Sequence, residues 1–503
     1  MTPPSWLEAR AARDPRGAAL EWQGSPTDFV TLRDRARRRC AGLRAAGVAR
    51  GDVVAALLPG GPGFVELLHA VDALGATLLP LHLRLPPSEL SFQLADAGPR
   101  LLVHGAGDLA LRARRSAAAA GGLVNVPTAP LETIDGEPDP PPGPVDPEAP
   151  LALLYTSGTT GRPKGALLSR RAFAASAAAA AERLASPPGE RWLACLPLYH
   201  VGGLSLLTRS VISGGAVVVH AGFDAAVVSE RLDRGDVAGV SLVPAMLARL
   251  LDARADRPAP PGLRTVLLGG AAAPEALIQR AQRAGFPIAP TYGLTEATSQ
   301  VATRRPAETG NGLTPLPGCD VRIVAPDGSL LPSGTPGEIQ VRGRTVMSGY
   351  HGRPEETARA LRDGWLCTGD VGRIDRRGRL HVLDRRADLI VSGGENVYPA
   401  EIERGLLSHP AVREAGVAAV ADASFGQRPK AWLVVSAAAP DDAALAAFCR
   451  ERLAGYKVPV AFERVSALPR NALGKLLRHR LGSPATPDSG SLTERDGGHA
   501  VSG

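Results

Sequence analysis

The chain has 503 residues, a formal net charge of +7 and a mean hydropathy of -0.01. The chain is longer than a domain with a single hydrophobic core normally is, so two or more domains are expected. No apolar run reaches the length of a membrane span, and the N-terminus lacks the charged-then-apolar pattern of a secretory signal. The arginines are dispersed and aromatic residues are few, which favours a solvated basic surface over a nucleic-acid site.

Cysteine and lysine usage narrow the class further. The cysteines are scattered without close pairs, which predicts a reduced, cytoplasmic protein with no cysteine metal site: Cys40, Cys195, Cys319, Cys367 and Cys449. Four lysines stand among 57 basic residues: Lys164, Lys430, Lys457 and Lys475. Because an ammonium is a compact point charge and a guanidinium is a planar fork, we expect lysine to be retained where arginine cannot replace it.

The first 150 residues alternate predicted strands and helices. Residues 5–50 indicate helices around a short strand, 53–58 and 101–103 are buried-strand candidates, and 63–75 has the pattern of a helix. This alternation predicts a doubly wound α/β architecture. Residues 126–150 are rich in proline and acids, which predicts a surface connection within the same domain.

A loop rich in hydroxyls and glycine follows. Residues 151–154 predict a buried strand, 155–169 read YTSGTTGRPKGALLS, and the alanine-rich stretch 172–185 has high helix propensity. Glycines allow close approach of the backbone, and successive N–H groups with hydroxyls and Lys164 form an anion-binding concavity. We therefore predict a polyphosphate cradle between a strand and a helix, different from the Walker-A loop because Arg162 follows Gly161.

The string TSGTTGRPKG resembles the phosphate loop of the adenylate-forming superfamily, which includes acyl-CoA synthetases, peptide-synthetase adenylation domains and luciferases. The resemblance extends from about residue 5 to residue 480. It implies ATP as a substrate. The loop residues that it assigns to the phosphates are Thr156, Ser157, Gly158, Thr159, Thr160 and Lys164.

Two further motifs follow in the family's order. Residues 196–200, LPLYH, resemble the segment that places a histidine beside the reacting carboxylate, here His200. Strands are predicted at 217–219, 239–243 and 266–268, and the loop after the last one resembles the family's adenine-stacking loop, with Gly270 and Ala271.

Residues 291–297, TYGLTEA, resemble the family's next motif. The resemblance implies that Tyr292 packs near adenine, Thr295 meets the phosphate and Glu296 helps to hold Mg²⁺. Carboxylate oxygen is a suitable ligand for this hard cation.

From residue 315 to 383 short alternating runs predict a small β-subdomain. It contains CTGD, which resembles the family's T-G-D motif. The resemblance implies that Asp370 binds the ribose hydroxyls, and a carboxylate suits this role because it can accept two hydrogen bonds. By resemblance Arg385 reaches the nucleotide, and the usual hinge residue, an Asp or Lys, is here Ala387. A glycine turn, Ser392, Gly393 and Gly394, resembles the one that lines the CoA tunnel.

The expected organisation is an N-terminal domain over 1–384, a small mobile α+β C-terminal domain over 385–480, and a disordered tail over 481–503. Strands are predicted at 412–420 and 431–435, and a helix at 441–454. The family places the catalytic lysine at the position of Lys475, where it bridges the acid and the α-phosphate in the first half-reaction only. Domain rotation then brings in CoA.

The predicted activity is an ATP-dependent carboxylate–CoA ligase, with Mg²⁺ as cofactor, a small carboxylic acid as substrate and homo-oligomerisation left open. The segments at 196–211 and 293–300 resemble the branch of the family that acts on o-succinylbenzoate in menaquinone synthesis. Residues expected to bind the acid are His200, Ser205, Arg209 and Ser299. Alternatives are a ligase for another aromatic or medium-chain acid, an adenylation enzyme that loads a carrier protein, and a catalytically silent homologue.

Overall fold

The computed structural model describes residues 5–83, 85, 87–120, 126–138, 143–156, 163–255, 257–271, 273–385, 390–392, 395–397, 399–422, 425–436, 440–453, 455–471, 474 and 476–482. The chain divides into two compact units, Met1–Ala387 and Asp388–Gly503. Within the described ranges, no helix is both long and apolar enough to cross a bilayer.

The helices of the first unit lie mostly between strands in the sequence. They are α1 Trp6–Arg13, α2 Phe29–Ala45, α3 Pro62–Leu74, α4 Pro87–Ala97, α5 Asp108–Ala120, α6 Arg170–Leu184, α7 Val201–Ser213, α8 Ala225–Asp233, α9 Pro244–Arg254, α10 Glu275–Arg283 and α11 Pro354–Ala360. The helices of the second unit are α12 Pro399–Leu407 and α13 Asp442–Arg450.

Most of the strands are short, as expected for an α/β protein. The first fifteen are β1 Ala18–Trp22, β2 Ser25–Asp28, β3 Val53–Leu57, β4 Thr77–Pro80, β5 Leu101–His104, β6 Thr128–Pro130, β7 Pro150–Thr156, β8 Lys164–Ser169, β9 Arg191–Ala194, β10 Ala216–Val219, β11 Gly239–Leu242, β12 Thr265–Leu268, β13 Ile288–Leu294, β14 Ser299–Thr303 and β15 Thr314–Pro315. The others in the first unit are β16 Cys319–Val324, β17 Gly337–Gly343, β18 Gly349–Tyr350, β19 Leu361–Arg362, β20 Trp365–Ile374 and β21 Leu380–Arg385. The second unit has β22 Ile390–Ser392, β23 Glu395–Val397, β24 Val412–Asp422, β25 Gly426–Val435 and β26 Phe462–Arg464.

Two large sheets organise the first unit. One has the order β15-β14-β13-β12-β11-β9-β10-β1-β2, and the other has the order β18-β8-β7-β4-β3-β5-β6. Both have a parallel centre. The first sheet has antiparallel strands at both edges, whereas the second is antiparallel only at its β18-β8-β7 end, because β6 pairs parallel with β5. A third, antiparallel sheet joins β16, β17, β19, β20 and β21, and it is the predicted β-subdomain. The predicted doubly wound α/β class is confirmed.

The core is layered because successive side chains of a strand point to opposite faces. Trp192 and Ala194 of β9 pack in the central core, which also takes side chains from α1, α2, α3 and α7. Their neighbours Leu193 and Cys195 pack in a second core beneath α8, α9 and α10. The same alternation divides β3 between the central core and a third core with α4 and α5. Helix α3 is therefore buried along nearly its whole length, which explains its apolar sequence.

The phosphate loop differs from the prediction in one respect. It does not join a strand directly to a helix, because β8 pairs antiparallel with β7 before α6 begins. The sequence pattern predicts loop at 165–168, Gly-Ala-Leu-Leu, but the side chains of Ala166 and Leu168 are buried in the central core. The loop is therefore the connection of a β-hairpin. Helix α6 begins after Ser169, whose hydroxyl accepts a hydrogen bond from the backbone N–H of Ala172.

The second unit is a small α+β domain. Its sheet has the order β23-β22-β25-β24, with β26 parallel to β25, and α12 and α13 contribute Ile402, Leu406 and Leu445 to its core. The predicted strands at 412–420 and 431–435 and the helix within 441–454 are confirmed.

Candidate active site

The hairpin of β7 and β8 places a hydroxyl and a cation at the mouth of the phosphate loop. Thr156 at the end of β7 lies opposite Lys164 at the start of β8. Both side chains are partly exposed. Ser157, Gly158, Thr159 and Thr160 lie outside the described residues, so their predicted phosphate contacts stay predictions.

Glu296 lies at the centre of this region. Its Oε1 atom accepts hydrogen bonds from the Thr156 hydroxyl at 3.3 Å and from the Tyr350 hydroxyl at 3.0 Å. The Tyr350 ring also has the Lys164 Nζ atom 5.5 Å from its centroid. Burial, together with the Glu296 charge, raises the pKa of the Tyr350 phenol, so the hydroxyl remains a donor. The structure thus brings together three residues from two predicted motifs, and it adds Tyr350, which the sequence analysis missed.

The segment after Glu296 has an unusual backbone. Thr298 and Ser299 have φ angles of 50° and 90°, in the left-handed region that such residues rarely adopt. Thr298 is fully buried, its hydroxyl donates to the Thr345 carbonyl at 2.7 Å, and its own carbonyl accepts from Ser176 at 2.7 Å. These bonds offset the backbone strain and fix the position of Ser299, a predicted substrate contact that is only partly buried.

Gly293 is required just before this segment. A Cβ atom at this position would lie 1.9 Å from the Ser299 carbonyl oxygen, at an irregularity in the pairing of β13 with β14. Any side chain there would push β14 away and move Ser299. The glycine of the predicted motif therefore has a packing reason.

The residues predicted for adenine and ribose contact each other. The Tyr292 hydroxyl donates to the Asp370 Oδ2 atom at 2.7 Å, and Asp370 is buried. Arg385 lies opposite Asp370 in the pairing of β20 with β21. Gly270 and Ala271 follow the carboxyl end of β12, and Gly270 has a φ of 80°. Because β9, β11, β12 and β13 run parallel, the residues after these strands share one edge of the sheet with Tyr292.

His200 lies at the same edge, at the N-terminal cap of α7. Its ring is packed against Tyr199, at 4.7 Å between centroids, and His82, at 5.6 Å. Burial, and then the His82 charge, lower the pKa of His200 to about 4, so the imidazole is neutral near pH 7. Its Nε2 atom is buried, with no hydrogen-bond partner among the described residues. His82, on the loop after β4, carried no motif and was missed by the sequence analysis.

Helix α7 also carries the remaining predicted acid-binding residues. Gly202, Ser205 and Arg209 follow the i, i+3, i+7 spacing of one helix face, and the first two are only partly buried. Arg209 is buried, and its guanidinium carbon lies 4.1 Å from the centroid of the Trp192 ring. Burial lowers the pKa of Arg209 to about 10, against a smaller opposite effect of Glu190. No hydrogen bond joins its guanidinium to an acceptor in the described part of the chain.

Comparison with known protein families gives two matches along the chain. Residues 7–351 match the AMP-binding enzyme family, and residues 401–475 match the AMP-binding enzyme C-terminal domain. The chain belongs to the AMP-binding enzyme family. The predicted superfamily is therefore confirmed.

Among AMP-binding enzymes, the similarity extends over nearly the whole chain. The 2-succinylbenzoate–CoA ligase of Geobacillus kaustophilus is 42% identical over 489 residues, which cover 95% of this chain and 97% of that protein. The o-succinylbenzoate CoA synthetase of Bacillus subtilis, solved with the acyl-adenylate OSB-AMP, is 37% identical with a TM-score of 0.88, and 96% and 99% of the two chains are covered. The same Bacillus enzyme, solved with ATP and a magnesium ion, gives a TM-score of 0.85 at 37% identity, with 96% and 100% covered.

A divalent cation would fit at Glu296 in this AMP-binding enzyme. One partly exposed carboxylate and the Thr156 hydroxyl supply hard oxygen atoms on one side. The described residues contain no group of three or more His, Cys, Asp or Glu side chains that could hold a metal by themselves. This arrangement is typical of Mg²⁺ that is bound together with nucleotide phosphates rather than in a cage of protein ligands.

The C-terminal residues of the predicted site are described only in part. Lys475, Gly393 and Gly394 lie outside the described residues, as does Ala387. Ser392 lies in β22 opposite Glu395 and Gly426, and its hydroxyl is buried with no hydrogen-bond partner among the described residues.

Proposed function

We propose that this chain is an ATP-dependent carboxylate–CoA ligase that converts o-succinylbenzoate to o-succinylbenzoyl-CoA through an acyl-adenylate. The observation that carries the proposal is the similarity to 2-succinylbenzoate–CoA ligase over 95% of the chain at 42% identity. ATP and CoA are then its co-substrates, and Mg²⁺ is its cofactor. We place the reaction in the cytoplasm, where both co-substrates are available.

In the first half-reaction, an oxygen of the succinyl carboxylate attacks the α-phosphorus of ATP, and the bond to pyrophosphate breaks. Lys164 at the loop mouth supplies positive charge for the leaving pyrophosphate, and Tyr292 with Asp370 holds the nucleoside. Mg²⁺ at Glu296 would neutralise phosphate charge when bound. We assign Thr295 to the phosphate and Lys475 to the bridge between the carboxylate and the α-phosphate.

His200 suits a position beside the reacting carboxylate because it is neutral. A protonated imidazole would pair with the carboxylate and reduce its nucleophilicity, whereas a neutral ring orients it by a hydrogen bond. The buried Nε2 atom has no hydrogen-bond partner among the described residues, so it can make this bond.

In the second half-reaction, the CoA thiol loses its proton, its sulfur attacks the adenylate carbonyl carbon, and AMP leaves. We assign the turn of Ser392, Gly393 and Gly394 to CoA, within a C-terminal domain that we place at 385–480. Residues 1–384 then form the ATP- and acid-binding domain.

The second carboxylate of o-succinylbenzoate has to be bound as an anion on the aromatic ring. Arg209 meets this requirement. It is a buried cation on the face of α7 that also carries Ser205, and no described residue accepts a hydrogen bond from its guanidinium. A buried charge without a partner costs free energy, and an anionic ligand would recover it. A pocket for fatty acids does not require a buried cation.

A panel of acids tests the proposal. The kcat/KM for CoA thioester formation is measured with o-succinylbenzoate, with 4-oxo-4-phenylbutanoate, which lacks the ring carboxylate, and with a medium-chain fatty acid. We expect o-succinylbenzoate to exceed both by about 30-fold or more, because unmatched buried polar groups cost roughly 2–4 kcal/mol. Equal values, or a preference for the fatty acid, would reject this substrate, and an absence of thioester with every acid would reject the ligase.

A further inference from the structure

Tyr350 is held in place by its backbone on both sides. The short strand β18 pairs with β8, with Tyr350 opposite Ala166. The backbone N–H of Ser348 donates to the Leu167 carbonyl at 2.9 Å, and that of His351 donates to the Gly165 carbonyl at 2.8 Å. The Tyr350 N–H itself donates to the Thr357 hydroxyl at 2.9 Å. The ring therefore projects from the strand that pairs with β8, and β8 carries the phosphate-loop residue Lys164.

The side chain of Tyr350 then contacts two charges of opposite sign. Its hydroxyl donates to the Glu296 Oε1 atom at 3.0 Å, and its ring face has the Lys164 Nζ atom 5.5 Å from the centroid. The ammonium is attracted to the ring face within about 6 Å, and the hydroxyl bond to a carboxylate is charge-assisted. One residue thus connects two motifs that are 132 positions apart in the sequence, counted from Lys164 to Glu296.

The hydrogen bonds to Glu296 share one oxygen. Both Thr156 and Tyr350 donate to Oε1, and no described residue donates to Oε2. A carboxylate fixed through one oxygen presents the other in a defined direction, which is what a metal held jointly with phosphates requires.

We infer that Tyr350 is a positioning residue, which orients Glu296 for Mg²⁺ through its hydroxyl and Lys164 for the ATP phosphates through its ring. This inference rests on the proposed function for the roles of Glu296 and Lys164. The two halves of the side chain have separate tasks, so two substitutions separate them. Tyr350→Phe removes only the hydroxyl, and Tyr350→Leu removes the hydroxyl and the aromatic face.

The test measures binding of α,β-methylene ATP by calorimetry, with excess Mg²⁺ and with EDTA. The Mg²⁺ ratio is the dissociation constant in EDTA divided by the dissociation constant in Mg²⁺. For Tyr350→Phe we expect this ratio to shrink about 3- to 10-fold while metal-free binding is unchanged, in line with the net contribution of one typical hydrogen bond. For Tyr350→Leu we expect the same loss and, in addition, about two- to fivefold weaker metal-free binding.

Tyr155→Phe is the matched control. The Tyr155 hydroxyl donates to the Asp96 Oδ2 atom at 2.7 Å, so this variant also loses a hydroxyl–carboxylate bond beside the phosphate loop but leaves Glu296 untouched. Its Mg²⁺ ratio is expected to equal that of the unmodified protein. A fall in the ratio equal to that of Tyr350→Phe would overturn the specific role of Tyr350.

A double substitution completes the test. If Tyr350 acts through Glu296, Tyr350→Phe combined with Glu296→Gln loses no more of the Mg²⁺ ratio than Glu296→Gln alone. Additive losses, or an unchanged ratio in Tyr350→Phe, would refute the inference. If the unmodified protein shows no Mg²⁺-dependent nucleotide binding and no ATP–pyrophosphate exchange with any acid, the proposed function itself fails, which is a different result.

Discussion

Replacing Arg209 by Met should stabilise the unliganded protein and weaken its use of o-succinylbenzoate. The side chain is 9% exposed and lies on Trp192 without a described acceptor. A pKa of about 10 in place of 12.5 corresponds to roughly 3 kcal/mol against the charged form in the folded state. Because the folded-state pKa is lowered, this cost does not change with pH around pH 7, where Arg209 is charged in both the folded and the unfolded state. It falls only as the pH rises through about 10.

The cation–π contact with Trp192 offsets part of that cost. A desolvated contact of this kind contributes about 2 kcal/mol, so the free energy of unfolding of Arg209→Met should rise by about 1–2 kcal/mol. An anionic ring carboxylate recovers the cost only when arginine is present. The kcat/KM for o-succinylbenzoate should therefore fall about 10- to 100-fold, while the value for 4-oxo-4-phenylbutanoate should stay unchanged or rise.

Arg254→Met serves as the control. Arg254 is also buried, but it donates to Ser229, Asp233 and the Pro258 carbonyl. Its removal deletes these buried hydrogen bonds, although Arg257 still donates to Ser229 and Asp233, so the free energy of unfolding should fall and the preference between the two acids should not change. Urea denaturation and kcat/KM for both acids are the measurements. If Arg209→Met is destabilised like Arg254→Met and keeps the preference for o-succinylbenzoate, Arg209 is a structural residue and the reasoning is refuted.

Four further outcomes are expected. Glu296→Gln should raise the Mg²⁺ concentration for half-maximal ATP–pyrophosphate exchange by about tenfold through loss of a charged ligand, and an unchanged titration would remove the metal role. Gly293→Ala should lower kcat/KM for the acid more than it lowers nucleotide affinity, because a Cβ 1.9 Å from the Ser299 carbonyl oxygen displaces that residue; equal effects on both would contradict this. His69 is buried without described partners, and burial lowers its pKa to about 4. Because the unfolded state then binds one more proton than the folded state, the free energy of unfolding should decline by up to about 3 kcal/mol as the pH falls from 6.5 to 4. In urea denaturation His69→Leu should reduce this pH dependence, and a variant with the same pH dependence would show that another group causes the loss. Lys475→Ala should lose adenylation by about one to two decades and keep thioester formation from supplied acyl-adenylate, whereas equal loss in both half-reactions would reject its restriction to the first step.

Local patterns in the sequence were sufficient for the architecture. Short apolar runs such as 53–58 and 101–103 are strands because their length and residue types suit a buried parallel sheet. The glycine- and hydroxyl-rich run at 156–164 predicted a phosphate loop, which stays a prediction. The motif resemblance then predicted the family and the positions of Tyr292, Glu296 and Asp370. These features depend on residues that are close in the chain.

The hairpin at 150–169 shows where local patterns fail. The run 165–168 follows a glycine-rich stretch and precedes an alanine-rich helix, and this context predicts a loop. It forms β8 because Ala166 and Leu168 are buried in a core made largely by distant segments. Whether a short apolar run becomes strand or loop depends on that burial.

The contacts of Tyr350 and His82, and the burial of Arg209, were decided by tertiary structure. Tyr350 meets Glu296 and Lys164 only because β18 adds to the edge of the sheet beside β8, and His82 meets His200 only because loops after two different strands converge. A sequence shows which residues carry charge or hydroxyls, but hydrogen bonds and pKa values depend on distance and burial. Those quantities are set by contacts between residues that are separated in the chain, such as His82 with His200 and Lys164 with Tyr350, and therefore only the folded chain could decide them.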